Sequence, residues 1–387
     1  MILQDKIVAI IGGGPGGLTL ARLLQNKGVA VKVYERDANR SVRVQGATLD
    51  LHYESGLRAL EEAGLLDTFK ATYRPGNDLY RVVNKDAVIL HDDHKRSSTG
   101  DFGDEWFRPE IDRGPLRDML LDSLHPDTVV WDSHIVTLEK MGDGWNIIFK
   151  NGTKAYADVV IGADGANSKI RKIVTPIEAK YSGVTYLVGN IPNLAENTPK
   201  INALLKGGKV AALEDSRTIF LSAKGDGSLD FYICWKTGLN WAAENSIDLT
   251  NIAQVSEWFN TEFKGWGGIW QELFTYQDIQ FILRPLYGVP PDQHWEAQPN
   301  ITLLGDAAHV LPPNGEGVNA AMLDALDLSI CLTHDEFSDV PSAIAGYEKK
   351  MFARFAKDAK ETANMMNWMF APNGAAVMVA MFNEMPE

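Results

Sequence analysis

Hydrophobic runs and their interruptions set out the fold from the N-terminus onward. Residues 7–11 form an unbroken apolar run, the pattern of a strand buried on both faces of a parallel sheet. Residues 12–17 are a glycine-rich turn. Leu18, Ala21, Leu23 and Leu24 then recur at helical spacing up to Gly28, a helix stop. Residues 29–34 predict a second apolar strand that runs into Glu35 and Arg36. The whole is a strand–helix–strand unit of about 30 residues, and its crossover is expected to be right-handed.

Further along, the pattern predicts helices at 57–66 and 115–124 and strands at 128–131, 145–149 and 159–161, the last leading into Gly162-Ala163-Asp164-Gly165. Between about 178 and 285 the texture changes to short alternating segments, such as 217–222 and 229–235, separated by turns such as Lys224-Gly225-Asp226-Gly227. That is the pattern of an antiparallel sheet. The strand–turn–helix order returns with 301–304, Gly305-Asp306 and a helix from Val318 onward. A last helix is predicted at 343–367, and the apolar run 375–382 reads as a docked helix, being too short to cross a bilayer. The expected class is α/β: a Rossmann-like dinucleotide domain interrupted by an antiparallel-sheet domain, with a helix at the C-terminus.

Composition narrows the function. The chain has 387 residues, 45% of them hydrophobic, enough for a large core in two domains. Its 37 Lys and Arg against 51 Asp and Glu leave a net charge of −14, and without a basic patch this argues against binding nucleic acid. Two cysteines, Cys234 and Cys331, make no disulfide framework or zinc site, which fits a reducing cytoplasm. The N-terminal apolar run is broken by glycines and preceded by Lys6 alone, so no signal peptide is expected, and no apolar stretch is long enough for a membrane span. His91 and His94 form an H-x-x-H pair among Asp92, Asp93 and Lys95, which reads as a solvated turn or a metal site, the turn being preferred.

Gly12, Gly14 and Gly17 satisfy G-x-G-x-x-G between a buried strand and a helix. One glycine permits the turn, one lets a pyrophosphate approach the backbone, and one lets the helix pack on its strand. The helix N-terminus after Pro15 then offers N–H groups to phosphate. Glu35 stands 18 residues beyond Gly17, where a carboxylate accepts a ribose hydroxyl. A dinucleotide site follows from this context.

Two further segments decide which dinucleotide. These are 158–171, DVVIGADGANSKIR, and Gly305-Asp306-Ala307-Ala308-His309, followed by Pro312-Pro313 and Gly315-Glu316-Gly317. Both resemble fingerprints of the flavoprotein monooxygenases of the para-hydroxybenzoate hydroxylase type. Glu35-Arg36-Asp37, Arg43, residues 46–52 (GATLDLH) and Pro109-Glu110-Ile111-Asp112-Arg113 resemble, within that group, the tetracycline-inactivating monooxygenases of the TetX type. The similarity runs along the chain and is thin between 178 and 285. It implies FAD as cofactor and NADPH as electron donor, with Glu35 and Arg36 on the adenosine side of FAD. Asp50, Arg113, Asp164, Gly305, Asp306, Pro313, Gly315 and Gly317 would lie at FAD, and Arg43 would meet NADPH. The fold implied is an FAD-binding domain from 1–64, 101–177 and 278–345, a substrate domain from 65–100 and 178–277, and a bridging helix from 346–387. A cytoplasmic monomer acting on a small molecule and O₂ is expected.

By the same resemblance, NADPH docks transiently and the reduced flavin forms a C4a-hydroperoxide that delivers one oxygen atom to a phenolic or polyketide-like ring system, tetracyclines among them. The cofactor carries the chemistry, so no side-chain catalyst is assigned and His309 reads as a packed histidine. Two departures stand out. Val188, Lys209 and Asp230 occupy the positions where the resembled enzymes carry Gln, Arg and His facing the drug, and they are the substrate candidates here. The loop Asn314-Gly315-Glu316-Gly317 is one residue short and carries Glu in place of Gln. A hydroxylase of a simpler aromatic compound, a flavin halogenase or reductase, and a non-enzymatic flavin sensor stay open as alternatives. Trp266-Gly267-Gly268-Ile269-Trp270 does not match the W-x-W-x-I-P signature of halogenases. The aromatic-rich segment 231–281 reads as core or as the lining of an apolar pocket.

Overall fold

A computed structural model describes residues 2–42, 48–95 and 100–384. Its α/β architecture has a Rossmann-like part, an antiparallel sheet layer and C-terminal helices. Among these described residues the strands form four sheets. The first has Ile301–Leu303, Val159–Gly162, Val8–Ile11, Val31–Tyr34 and Val129–Val130 side by side, every pairing parallel. Val8–Ile11 and Val159–Gly162 are buried at every residue, which explains their unbroken apolar runs. Helix Pro15–Asn26 packs against helices Arg113–Asp122 and Gly317–Thr333. An antiparallel meander, Ile135–Met141, Gly144–Phe149 and Lys154–Ala157, adds Leu138, Trp145, Ile147 and Phe149 to the same core.

The broad sheet runs in the order Ile282–Gly288, Lys180–Ile191, Leu229–Lys236, Arg217–Ala223, Lys209–Glu214, Tyr80–Val83 and Ile89–Asp92. Its neighbours are antiparallel except Lys209–Glu214 with Tyr80–Val83, which is parallel. Alternation gives it two faces. One face packs on an aromatic core that contains Trp235, Trp241, Trp258, Trp266 and Trp270. The rings of Trp235, Trp241 and Trp258 lie 4.7 to 5.2 Å apart, so this part of the aromatic-rich segment is core. The other face, with Val82, Tyr186, Ala211 and Cys234, meets the end of helix Val340–Met369 and helix Gly374–Glu384. The fourth sheet is a two-stranded ribbon, Thr48–Asp50 antiparallel to Glu110–Asp112.

Three local expectations change. The helix read at 57–66 is a π-helical turn at Tyr53–Leu57 and a short helix Arg58–Glu62. It stops because Gly64 takes φ +73°, and the chain restarts as Leu66–Lys70. The H-x-x-H segment is no solvated turn: Ile89–Asp92 is a strand, His91 stacks on Phe382 at 4.7 Å, and its Nε2 lies 2.7 Å from Asp93. No metal-binding group of side chains occurs among the described residues. The long helix begins earlier than read, because the Asp339 side chain accepts the Ser342 N–H at 2.8 Å and Pro341 stands in its first turn.

Candidate functional site

Strand Val8–Ile11 ends at Gly12, whose φ of +114° suits glycine. A Cβ there would sit 2.2 Å from the Ala163 carbonyl oxygen, and one at Gly17 would sit 2.2 Å from the Gly12 carbonyl oxygen. Gly14 differs: a Cβ added to it meets nothing within 4 Å, so the middle glycine faces open space. Pro15 opens the helix and Gly14 brings no capping side chain, which leaves the N–H groups of the first turn available. Glu35 is buried and braces this turn. Its Oε2 accepts the Gly13 N–H at 2.7 Å and its Oε1 the Asp37 N–H at 3.1 Å. Arg36 beside it is exposed.

The second fingerprint leaves the adjacent strand Val159–Gly162. Asp164 organises its own loop, accepting from Ser168 Oγ at 2.5 Å and from the Lys169 N–H at 2.7 Å, and burial pushes its pKa up. Arg171, in the same fingerprint, is buried and donates to the Ala308 carbonyl at 2.5 Å and to Gln293 at 2.7 Å. It thereby clamps the second fingerprint to the third, and burial lowers its pKa to about 10.

The third fingerprint leaves Ile301–Leu303, next in the same sheet. Gly305 has φ +58° and donates its N–H to Asp324 at 2.8 Å. Asp306 is open to solvent, yet protein crowds around it. Desolvation raises its pKa, opposed by the charges of His309 and Arg113. Arg113, at the start of its helix, is close enough for its charge to act on Asp306. His309 is buried against Asp324 at 2.5 Å, and Arg354 holds the other Asp324 oxygen at 2.8 Å, which fits a packed histidine. Beyond Pro313, Asn314 donates to Thr362 at 2.7 Å and accepts the Glu316 N–H at 2.9 Å. Gly315 takes φ +90°, and Gly317 faces open space at the start of its helix.

The two-stranded ribbon sets two acids side by side. Asp50 lies opposite Glu110 in the pairing register. His52 Nε2 is 2.8 Å from Asp50 and its Nδ1 is 3.1 Å from Glu316. Burial lowers the His52 pKa, but hydrogen bonds and charges from these two acids outweigh it and raise it to about 9. Burial likewise opposes the charge of Asp50, and His52 and Lys209 together hold its pKa below the usual carboxylate range. Arg43 lies outside the described residues.

Val188, Lys209 and Asp230 share one face of the broad sheet. Tyr80, Lys209, Ser222, Asp230 and Asn190 form a continuous row across five strands by register. The next row on that face is Val82, Ala211, Phe220, Tyr232 and Val188. The polar row meets the ribbon: Lys209 pairs with Glu110, and Ser222 lies 3.3 Å from Thr48. Asp230 is buried, accepts from Asn190 at 2.6 Å, and its Oδ2 has no partner among the described residues. Glu110 is pushed up to about 7 by burial and the Asp50 charge, against the pull of Lys209. The three substrate candidates are therefore brought together, but Lys209 and Asp230 are engaged by protein while Val188 is half-buried on the apolar row. Glu110, His52 and Arg171 are not among the sequence candidates. The period-2 polar alternation of Thr48-Leu49-Asp50 and Glu110-Ile111-Asp112 was the available signal for a ribbon with one polar face.

Residues 5–251 match the FAD binding domain family. The chain is 26% identical to monooxygenase penA of Penicillium thymicola, over 95% of this chain and 96% of that protein. It is 28% identical to the 3-amino-4-hydroxybenzoate 2-monooxygenase of Streptomyces cremeus, over 97% of this chain and 90% of that one. Its fold matches the solved structure of the tetracycline destructase Tet(51) with a TM-score of 0.72, over 99% of both chains at 18% identity, a likeness of fold alone. No helix among the described residues is long and apolar enough to cross a membrane.

Proposed function

The chain belongs to the FAD binding domain family, and from that premise we propose that it is an FAD-dependent monooxygenase that takes electrons from NADPH and acts on a phenolic or polyketide-like ring system. The observation that carries this reading is topological. Three fingerprints leave the C-terminal ends of three neighbouring parallel strands, so Gly12–Gly17, Asp164 and Gly305–Asp306 converge on one edge of one sheet. Open α/β sheets bind their ligands at that edge.

The residues present fit FAD. Gly14 has open space where a pyrophosphate would approach, and the helix after Pro15 offers unpaired N–H groups to it. Gly12 and Gly17 hold the turn, Glu35 and Arg36 serve the adenosine side, and Asp164 fixes the loop of the second fingerprint. Asp50, Arg113, Gly305, Asp306, Pro313, Gly315 and Gly317 line the flavin end, and Arg43 takes the approaching NADPH. Bound FAD supplies the electron transfer and the activation of O₂, so that one oxygen atom reaches an electron-rich substrate carbon.

The chain's own part is to place the substrate and exclude water. Val188, Phe220 and Tyr232 offer an apolar row to a ring system, and Met365, Met366 and Trp368 close over that face. Lys209 and Asp230 sit one row away, where polar substituents of the ring would lie. Domain limits follow as 1–64, 101–177 and 278–345 for FAD, 65–100 and 178–277 for substrate, and 346–387 for the bridging helices. The enzyme works as a cytoplasmic monomer in this reading.

The test is NADPH oxidation by the purified protein with a tetracycline or a simpler phenol, read by absorbance and product mass. A yellow protein that forms a product heavier by one oxygen atom is expected. A yellow protein that oxidises no aromatic substrate would remove the monooxygenase reading, and a protein that takes up no FAD would remove the whole.

A further inference from the structure

His52 lies between two carboxylates drawn from distant parts of the chain. Asp50 Oδ2 approaches its Nε2 at 2.8 Å and Glu316 Oε2 its Nδ1 at 3.1 Å, so both ring nitrogens are engaged. The imidazole is 12% exposed, against 28% for Asp50 and 43% for Glu316. The backbone is fixed as firmly. Asn319, buried in the first turn of helix Gly317–Thr333, accepts the His52 N–H at 2.9 Å and donates to the Asp50 carbonyl at 3.0 Å. The chain then winds through a π-helical turn, Tyr53–Leu57, a rare conformation that concentrates at functional sites.

Glu316 holds the N-cap position of helix Gly317–Thr333, yet its side chain makes no capping bond there. It turns to His52 instead. His52 and Glu316 also line a cavity of about 420 Å³, with Glu54, Arg108, Lys357 and Asp358 on its walls. On its other side the group reaches Asp50, which feels the charge of Lys209.

We propose that His52 is a positioning residue for the flavin: its imidazolium docks the 314–317 loop on the Asp50 strand and cancels one of two carboxylate charges beside the ring. This rests on the reading above, in which Asp50 and that loop line the flavin end. With His52 protonated, Asp50, His52 and Glu316 carry one net negative charge. Without His52 they carry two, and without Glu316 they carry none. Reduced flavin bears more negative charge than oxidised flavin, so each removal shifts the balance between the two forms, in opposite directions.

The test uses FAD-loaded full-length protein near neutral pH. The flavin midpoint potential is read by reductive titration against a reference dye, and FAD affinity by flavin fluorescence. His52→Gln is expected to weaken reduced FAD about tenfold relative to oxidised FAD, a fall of about 30 mV for a two-electron couple. Glu316→Gln is expected to raise the potential by a similar amount. The double variant restores one net negative charge and is expected near the wild-type potential. Two shifts of the same sign, or none, would overturn the inference while leaving a yellow wild type and the FAD reading intact. Should His52→Gln fail to fold, Glu316→Gln alone decides: it keeps the hydrogen bond, and an unmoved potential refutes the charge role. A wild-type protein that binds no FAD overturns both readings.

Discussion

Lys209 on the broad sheet and Glu110 on the two-stranded ribbon form an ion pair, with Glu110 only 3% exposed and Lys209 19%. The pair ties the broad sheet to the two-stranded ribbon. Breaking a buried pair from one side leaves the other charge uncompensated, whereas replacing both groups with apolar ones of similar volume is close to neutral. Glu110→Leu alone is therefore expected to lower unfolding stability by about 2–3 kcal/mol, because it leaves the Lys209 ammonium without an acceptor, below the full buried-pair effect because Lys209 keeps some water contact. Glu110→Leu with Lys209→Met is expected within about 1 kcal/mol of wild type. Urea unfolding of the three proteins decides, and equal losses in the single and double variants would contradict the pairing.

The glycines of the first fingerprint separate folding from binding. Gly12→Ala forces a side chain onto φ +114° with its Cβ 2.2 Å from the Ala163 oxygen, and should destabilise the apoprotein by about 2 kcal/mol or more. Gly14→Ala meets nothing within 4 Å, so apoprotein stability should stay within about 0.5 kcal/mol. Its Cβ points where the pyrophosphate is proposed to lie, and FAD affinity should fall at least about tenfold, about 1.4 kcal/mol. Thermal melts of apoprotein beside FAD fluorescence titrations check both. A Gly14→Ala protein with unchanged FAD affinity would move the proposed pyrophosphate site elsewhere.

Asp306 is reachable by solvent but crowded, and its raised pKa reflects desolvation that Arg113 and His309 only partly relieve. Replacing its charge removes that desolvation. Asp306→Asn should leave apoprotein stability unchanged or slightly higher while weakening FAD about tenfold, because a charged acceptor at the proposed flavin end becomes a neutral one. Calorimetry of the apoprotein and a flavin titration would report the two effects separately. A marked loss of stability with intact FAD binding would make Asp306 a structural residue.

The parts of the fold that were legible in sequence are those whose cause is local. Residues 8–11 are apolar because both faces are covered, and Gly12 and Gly17 are glycine because backbone oxygens lie where a Cβ would be. The ribbon left only three residues of alternation in each strand, too little to pair two segments some sixty positions apart. The helix expected at 57–66 failed on Gly64, whose left-handed turn breaks a pattern that hydrophobic spacing alone continues. The family resemblance made Lys209 and Asp230 candidate substrate residues, but the engagement of Lys209 by Glu110 and of Asp230 by Asn190 is tertiary. The same holds for Glu316, which a linear reading shows only as a changed residue in a short loop.

The His52 pair also predicts a pH dependence of stability whose sign is fixed. Asp50 and Glu316 hold the folded imidazole near pKa 9, while the unfolded chain titrates at the ordinary histidine value of about 6.5. Between these values the folded protein keeps a proton that the unfolded chain has released, so stability falls as pH rises. The contribution is fully present below about pH 6.5 and is lost as pH passes 9. At about 1.4 kcal/mol per unit the shift corresponds to roughly 3 kcal/mol, and solvent screening of the half-exposed Glu316 reduces this to about 2 kcal/mol. Glu110, with its pKa raised to about 7, acts in the same direction between about pH 4.5 and 7, and His309, raised by Asp324, adds to the loss above pH 6.5, so the difference between wild type and His52→Gln isolates the His52 share. Urea unfolding near pH 7 and pH 9.5 should show the loss in the wild type and a smaller loss in His52→Gln, which has nothing to titrate at that position. Equal losses in the two proteins would place the alkaline transition on another group.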